Sequence, residues 1–332
     1  MKMRAATFAS LAPFAAAFVL ACSSSAGAAG CSGTDAGVTS PAAAASGATD
    51  PNASSGAGGA GGADGAGAGA PSGSAAPSTT TKPDASAPVS SPPAALSCLA
   101  QLYGGMPVPM NGSPGKWALR LPDGTQLEWD DAQTKTYDDR LASPDLQDTL
   151  AMPYPLGAIV AVNGVDDDPG RIRSDALFKS TFGGTSPAVQ AALVPVDFVG
   201  QTVKIHTRAA ASLTKVSTHL KQLVAQTPSL NAYVTGTLGG TFDWRPIANT
   251  NRLSAHSYGI AIDIVVAKSN YWEWEKTTAA DGGVSLTWKN QIPQAIVDAF
   301  EAEGWAWGGR WYHYDTMHFE YRPELFAAAC KP

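Results

Sequence analysis

The sequence has few of the features that mark nucleic-acid-binding or membrane-spanning proteins. It holds 22 basic residues against 28 acidic ones, for a formal charge of −6, and it has no basic stripe. Binding to phosphate backbones demands such a stripe. One short apolar run lies near the N-terminus, and no stretch of the sequence is long and apolar enough to cross a membrane. We therefore expect no nucleic-acid partner and, at most, an anchored membrane association.

Common catalytic signatures are also missing. The chain contains no His-Glu-x-x-His and no Cys-x-x-Cys, so it does not carry one of the commoner zinc motifs. It also has no Gly-x-Ser-x-Gly, which weakens the case for a serine hydrolase. Only five histidines and four cysteines occur in 332 residues, so each of them can be considered individually.

The N-terminal segment, residues 1–21, has the pattern of an export signal. Lys2 and Arg4 precede an apolar run that ends in "VLAC", and the run is too short for a membrane-spanning helix. Cys22 follows a small residue, where bacterial lipoprotein signals, which this segment resembles, place the lipidated cysteine. An ordinary secretory signal cut near Ala21 is the alternative. The prediction is an exported protein anchored at the cell envelope, and Ser23 mildly favours the outer membrane.

Residues 22–95 consist mainly of Ala, Gly, Ser and Pro, with hardly an aromatic or branched side chain. Such a segment buries too little apolar surface to offset the entropy of ordering it, so we predict a disordered tether. Its root-mean-square span would be about 45 to 50 Å. Residues 96–332 contain all nine tryptophans and are long enough for one ordinary domain.

The cysteines fit an exported, oxidising setting. Cys98 and Cys330 bracket the predicted domain, and we expect them to form a disulfide. Cys31 lies in the tether and has no clear role.

Secondary-structure signals indicate an α+β domain with a small antiparallel sheet and flanking helices. "LPDGTQLEW" predicts a hairpin around Asp123 and Gly124, and "LGAIVAV", residues 156–162, predicts a strand. Apolar residues spaced by three or four predict an amphipathic helix over residues 206–228. "QAIVDAFEAEGW" predicts a second helix, ended by Gly304.

The stretch "SAHSYGIAID" places a histidine and an aspartate on either side of a glycine. Gly259 and the Ile and Val residues after it favour a strand entered through a turn. In that strand Asp263 shares a face with Ala261, between isoleucines that face the other way. A carboxylate in such a strand needs a partner. The partner is either an arginine or a metal ion bound jointly with His256.

A second segment, "HYDTMHFEY", strengthens the metal interpretation. If "HFEY" begins a strand, His318 and Glu320 point to one face and Asp315 lies in the preceding turn. A hydrolytic zinc site requires three nitrogen or oxygen ligands and one open position. His256, Asp263 and His318 would provide the three ligands. Asp315 would be the carboxylate best placed to take a proton from the zinc-bound water.

These residues resemble a known family. "SAHSYGIAID" has the pattern Ser-x-His-x-x-Gly-x-Ala-x-Asp, and "DTMHFE" has the later Asp-x-x-His, of the VanY-like zinc carboxypeptidases and phage endolysin peptidases of bacterial cell walls. "WGGRW" precedes the second motif as a similar run does in the family. The resemblance extends from about residue 243 to residue 324.

The resemblance implies a Hedgehog/DD-peptidase-like fold and one Zn²⁺ ion held by His256, Asp263 and His318. It makes Asp315 the general base, where several family members have glutamate. It also implies that the substrates are peptidoglycan stem peptides, cut at a D-Ala-D-Ala or an L-Ala-D-Glu bond.

Four further residues have predicted roles with open alternatives. Arg252 could clamp the substrate carboxylate or the developing oxyanion, or form a surface ion pair. Ser254 could bind substrate or cap the turn, and His313 could contact the scissile group or Asp315, or pack among its aromatic neighbours. Glu320 is expected to orient a ligand rather than act as a base.

The sequence therefore predicts a lipid-anchored zinc peptidase acting on peptidoglycan. Two alternatives stay open, a serine hydrolase and a non-catalytic wall-binding module that keeps the fold.

Overall fold

The computed structural model describes residues 91–248, 250–278 and 284–331, which lie in one compact unit, residues 80–332. The predicted export signal, Cys22, Cys31 and nearly all of the predicted tether lie outside the described residues. In the part that is described, no helix has the length and apolar character needed to cross a membrane.

The described part combines short helices with small antiparallel sheets, which is the predicted α+β class. The α-helices are α1 (Ala94–Tyr103), α2 (Tyr137–Ala142), α3 (Asp175–Phe182), α4 (Ser186–Ala191), α5 (Thr207–Gln226), α6 (Asn231–Val234), α7 (Trp272–Glu275) and α8 (Gln294–Glu301). The strands are β1 (Met106–Pro109), β2 (Trp117–Arg120), β3 (Gln126–Glu128), β4 (Leu193–Phe198), β5 (Gln201–His206), β6 (Leu238–Gly240), β7 (Ala261–Val265), β8 (Thr277–Thr278), β9 (Val284–Ser285), β10 (Trp305–Trp307) and β11 (His318–Tyr321).

A four-stranded antiparallel sheet, in the order β10-β11-β7-β6, forms the centre of the domain. Ile262 and Phe319 are paired across β7 and β11 and are fully buried on one face. The ring of Phe319 stacks on Phe300 of α8 with 3.9 Å between ring centroids. Because side chains alternate along a strand, Asp263 and His318 project from the opposite face.

Three local predictions are confirmed. Strands β2 and β3 pair around the turn at Asp123 and Gly124, where Gly124 has φ 88°. Helix α5 covers almost all of the predicted amphipathic segment and buries Leu213, Val216 and Leu220. Helix α8 ends at Glu301, followed by Gly304 with φ 81°.

The predicted strand at residues 156–162 is wrong, because this segment has no regular secondary structure. Its backbone groups bond to side chains instead of a neighbouring strand. The Arg310 guanidinium donates to the carbonyls of Gly157 and Ala158, and the Ile159 amide donates to Gln294 Oε1. The apolar run was therefore misleading, and its Leu156 is 62% exposed.

Cys98 and Cys330 form a disulfide that joins α1 to the C-terminal end of the domain. Helix α1 begins at Ala94, slightly inside the predicted tether. At the other end of α1, the buried Tyr103 hydroxyl donates to Glu324 at 2.6 Å. The first helix is thus fixed to the last residues of the domain by one covalent and one polar contact.

Candidate metal centre and active site

His256 is held by a tight turn before the central strand. The 3₁₀ turn Ala255–Tyr258 is capped by Ser254, whose Oγ accepts from the His256 amide at 3.3 Å. Gly259 then adopts φ 63°, which is the left-handed conformation that glycine tolerates best. A Cβ atom at this position would lie 2.5 Å from Leu193 Cδ2, so the turn also requires glycine for space.

Asp263 and His318 are brought together by strand register. They are direct partners across β7 and β11. His318 Nδ1 lies 3.0 Å from Asp263 Oδ1, and His256 Nε2 lies 3.1 Å from each of these two atoms. The three predicted ligand residues therefore converge on one point from a turn and two adjacent strands.

The second nitrogen of each imidazole shows which atoms face the centre of this group. His256 Nδ1 is 3.3 Å from the carbonyl oxygen of Thr241, and His318 Nε2 is 3.2 Å from the carboxylate of Glu320. Both partners are acceptors, so in the neutral rings these outer nitrogens carry the hydrogen. The inner nitrogens then present lone pairs, and together with the Asp263 oxygen three acceptors meet. Such an arrangement needs a cation or a proton between them.

A zinc ion fits this donor set. Two imidazole nitrogens and a carboxylate oxygen are typical zinc ligands, and ligands at about 2.0 to 2.1 Å around a tetrahedral ion lie roughly 3.3 Å apart. The observed separations of 3.0 and 3.1 Å are close to that value. His256, Asp263 and His318 also form a group whose ligand atoms all lie within 4.8 Å of one another.

The electrostatics of the group agree with this geometry. Burial alone would lower the pKa of His318, but hydrogen bonds to Asp263 and Glu320 raise it to about 10. Burial alone would raise the pKa of Asp263, but the charge of His256 and the hydrogen bonds that both rings donate when they are protonated hold it well below its usual range. The site thus favours an anionic Asp263 and positive charge beside it.

Glu320 contacts the outer nitrogen of His318. Its side chain is completely buried, on the face of β11 that carries His318. It also accepts from Arg173 at 3.2 Å and from Arg322 at 2.9 Å. Burial would raise the pKa of Glu320, but the Arg173 charge, the His318 hydrogen bond and the Arg322 charge hold it well below the usual range. The carboxylate thus stays ionised and fixes the ring of His318.

Asp315 lies in the turn immediately before β11, as predicted. Its amide donates to the Gly308 carbonyl, and its Oδ1 is buried with no hydrogen-bond partner among the described residues. Burial and the nearby charge of Asp263 raise its pKa to about 7. A carboxyl group in this state can take up and release a proton near neutral pH.

A single cavity contains the three ligand residues and Asp315. Its polar wall includes three arginines, Arg171, Arg173 and Arg245, and its aromatic wall includes Tyr271, Trp272 and Trp311. Arg173 also bonds to Glu320 and has a buried Nε with no partner in the described part of the chain. The cavity thus combines a metal-binding group, a titratable carboxyl and several cationic donors.

The other predicted site residues have different positions. Ser254 caps the turn through its Oγ, and it also lines the cavity. The capping contact is thus formed, and the side chain lies where a substrate can reach it. His313 also lines the cavity, and its Nδ1 lies 2.7 Å from Asp168.

Arg252 is placed differently from its prediction. It does not line this cavity but a separate pocket, together with Asp138 and Leu141. Burial and the charges of Arg173 and Arg171 lower its pKa to about 10. Its Nη1 is buried without a partner, and within the described ranges no carboxylate lies at ion-pair distance from it. The surface ion pair considered for Arg252 is therefore not formed with any carboxylate of the described residues.

Sequence reasoning missed the contribution of the segment before residue 195. Arg171, Arg173 and Asp168 all come from "DDDPGRIRSD", which carried no motif in the sequence analysis. The two arginines are separated by one residue just before α3, and this spacing was the only available signal. The direction of Arg171 depends on pairing with Asp168, three residues earlier, and that of Arg173 on pairing with Glu320 of β11, which is distant in sequence.

Two imidazoles and a carboxylate able to hold a metal, with a second carboxyl group nearby, are typical of metal-dependent hydrolases. A protein-family model described as D-alanyl-D-alanine carboxypeptidase matches residues 248–321. The resemblance predicted from the two motifs is thereby confirmed over this segment, which contains all three candidate ligands and Asp315. The match supports a hydrolase of the peptidase class. No curated protein matches the chain.

Proposed function

We propose that this protein is a zinc-dependent peptidase that hydrolyses peptidoglycan stem peptides, at a D-Ala-D-Ala or an L-Ala-D-Glu type bond, on a Hedgehog/DD-peptidase-like fold. The main support is the convergence of three lone-pair donors beside a titratable carboxyl group in one cavity. The matched family segment covers all four of these residues and suggests the substrate class.

His256, Asp263 and His318 would hold the ion, with Glu320 fixing the orientation of the His318 ring. When bound, zinc supplies Lewis acidity that polarises an amide carbonyl and makes water a better nucleophile.

Asp315 is the residue proposed to move the proton. Its carboxylate form can accept a proton from the attacking water, and its acid form can donate that proton to the leaving amine. The pKa of about 7 allows both forms to be populated near neutral pH. Its unpartnered Oδ1 leaves this oxygen without a competing hydrogen bond from the described protein.

The cavity arginines are proposed to bind the acidic or carbonyl oxygens of the peptide. A guanidinium offers paired donors in a fixed plane, which suits a carboxylate or a developing oxyanion. Arg173 is the best supported of the three, because its contact with Glu320 holds it beside the metal group. The clamp first predicted at Arg252 is better supplied by this residue.

We also propose that the protein is exported and anchored through a lipid on Cys22, with residues 22–95 as a flexible tether. The support for this part is the N-terminal sequence alone. A tether would allow the domain to reach peptide bonds in the wall while it stays attached to the envelope.

The test is digestion of purified muropeptides by the protein lacking its export signal, followed by mass spectrometry. We expect product peptides that disappear on chelation and return with zinc, and the masses of the products identify the bond. Asp315→Asn should abolish the products. Asp197→Asn is the control, because Asp197 is exposed and its side chain, among the described residues, contacts only Lys221 and the Gly200 amide at the β4-β5 turn.

Three results would contradict this function. Full activity of Asp315→Asn would remove the proposed base. Activity that survives chelation but is lost to a serine-directed reagent would favour a serine hydrolase. Binding to sacculi with no released peptide or amine would favour a non-catalytic wall-binding module.

A further inference from the structure

Asp168 is a buried carboxylate that organises one wall of the cavity. Its side chain is completely buried. Its Oδ1 accepts from the His313 amide at 2.9 Å, and its Oδ2 is 2.7 Å from His313 Nδ1 and 2.9 Å from Arg171 Nη1. The Tyr137 hydroxyl donates to the same Oδ2. Burial would raise the pKa of Asp168, but the His313 hydrogen bond and the Arg171 charge hold it well below its usual range.

The ring of His313 is fixed from several sides by these contacts and by aromatic neighbours. Tyr137 stacks nearly parallel to it, with centroids 6.2 Å apart. Trp272 and Tyr312 meet it edge to face at 4.8 and 5.0 Å. The side chain is 16% exposed, and it lines the same cavity as Asp315.

The contact with Asp168 determines which nitrogen of His313 carries the hydrogen. An ionised carboxylate can only accept, so Nδ1 must donate to it. In the neutral imidazole this leaves a lone pair on Nε2. Within residues 91–248, 250–278 and 284–331, no protein group forms a hydrogen bond with Nε2. The cavity arginines can only donate, so His313 adds an acceptor to a wall that is otherwise rich in donors.

We propose that His313 is a substrate-contacting residue whose Nε2 accepts a hydrogen bond from an N–H group of the peptide substrate, and that Asp168 is its positioning residue. The inference rests on the proposed peptidase function, because it assumes that a peptide occupies the cavity. His313 lies inside the matched family segment, whereas Asp168, Arg171 and Tyr137 lie before it. The acceptor is therefore set up by a part of the chain that the family match does not cover.

Two substitutions separate this role from packing. In His313→Asn the amide nitrogen takes the place of Nδ1 and can still donate to Asp168, but nothing replaces Nε2. In His313→Gln the amide lies at about the position of Nε2, and the contact with Asp168 is lost. A packing role predicts that both variants, which lose the ring, weaken peptide binding to a similar extent. The proposed role predicts that His313→Asn loses peptide affinity although it keeps the Asp168 contact, and that His313→Gln, whose amide oxygen can accept near the position of Nε2, binds the peptide better than His313→Asn.

The measurement is calorimetric binding of a synthetic L-Ala-D-Glu-L-Lys-D-Ala-D-Ala peptide to chelator-treated protein, so that binding is separate from hydrolysis. We expect roughly 5- to 10-fold weaker binding by His313→Asn, the effect of one lost hydrogen bond. Equal binding by His313→Asn and the wild type, or no binding by the wild type at millimolar peptide, would overturn the inference. Chelator-sensitive hydrolysis by the wild type decides the proposed function independently.

Modified peptides identify the donor. Each amide nitrogen of the peptide is methylated in turn. Methylation of the nitrogen that donates to His313 should weaken binding to the wild type and cause no further loss in His313→Asn. If amidation of a peptide carboxylate removes the difference between the two proteins instead, His313 acts as a cation and the proposal is wrong.

Nitrogen-15 NMR tests the positioning role of Asp168. The chain has only five histidines, so the His313 signals can be assigned with the help of the His313 variants. In the neutral wild type, we expect the hydrogen on Nδ1. In Asp168→Asn, whose amide can donate to Nδ1, we expect the hydrogen on Nε2 and the same loss of peptide affinity as in His313→Asn. An unchanged tautomer in the folded Asp168→Asn protein would refute the positioning role.

Discussion

Replacing Glu320 with glutamine should weaken both metal binding and the fold. Glu320 is a fully buried carboxylate that contacts His318, Arg173 and Arg322. Glutamine keeps the shape of the side chain but removes its charge. Two buried guanidinium groups then face a neutral amide, and the His318 ring loses a charged acceptor that fixes its orientation.

The size of each effect follows from the type of contact. Losing one partner of a buried ion pair costs about 3 to 5 kcal/mol, because the remaining charge is left uncompensated. Arg322 keeps Glu324 as a partner, so the lower end of this range is expected. Removing an outer hydrogen-bond partner of a metal-bound histidine typically costs about 10- to 100-fold in metal affinity. Both losses should appear in the same variant.

The assay combines urea unfolding of the metal-free protein with zinc competition against a chromophoric chelator. Glu303→Gln is the matched control, because Glu303 pairs with the exposed Lys215 and should contribute less than about 1 kcal/mol. If Glu320→Gln remains folded and binds zinc with wild-type affinity, Glu320 does not orient His318 for the metal. If its unfolding free energy also equals that of the control, the buried ion-pair argument is wrong as well.

Three further predictions concern stability. Replacing Cys98 and Cys330 by alanine should lower the unfolding free energy by about 3 to 5 kcal/mol, since their sequence separation of 232 residues gives a large closed loop. Urea unfolding with and without reductant measures the loss, and a value below about 1 kcal/mol would contradict the prediction. The folded-state pKa of Asp168 is depressed, so its stabilising contribution is fully present above its ordinary pKa of 3.8 and is lost as the pH falls toward the folded value. Asp168→Asn should therefore flatten the acid limb of a curve of unfolding free energy measured from about pH 6 downward. An unchanged acid limb would contradict this assignment. Gly259→Ala should cost about 1 to 3 kcal/mol from the left-handed φ alone, with an added clash against Leu193, and wild-type stability in urea would show that the turn relaxes freely.

The elements that the sequence predicted well are those with local signals. The turn at Gly124, the apolar spacing of α5 and the glycine after α8 each act over a few residues. The metal group was also predictable, because its two motifs have fixed spacing and each lies on a strand or in the turn beside it. Strand register then brings the two motifs into contact, because His318 of β11 pairs directly with Asp263 of β7.

The misses all depend on contacts between distant parts of the chain. Residues 156–162 have the composition of a strand, but Arg310 and Gln294 bind their backbone groups, and no local pattern reports this. Arg252 lies close to the first motif in sequence, yet it lines a different pocket from the one that contains the metal ligands. Arg173 reaches the site because Glu320 of β11 binds it, a contact that only the folded chain reveals.

The disulfide also determines how the domain responds to mechanical load. Cys98 and Cys330 have their Cα atoms 5.1 Å apart, so tension between the chain before Cys98 and the chain after Cys330 passes through one covalent bridge. The intervening residues, including the cavity and both metal-binding strands, lie in the loop that this bridge closes. A pull applied across the two ends therefore cannot unravel the sheet while the disulfide is intact.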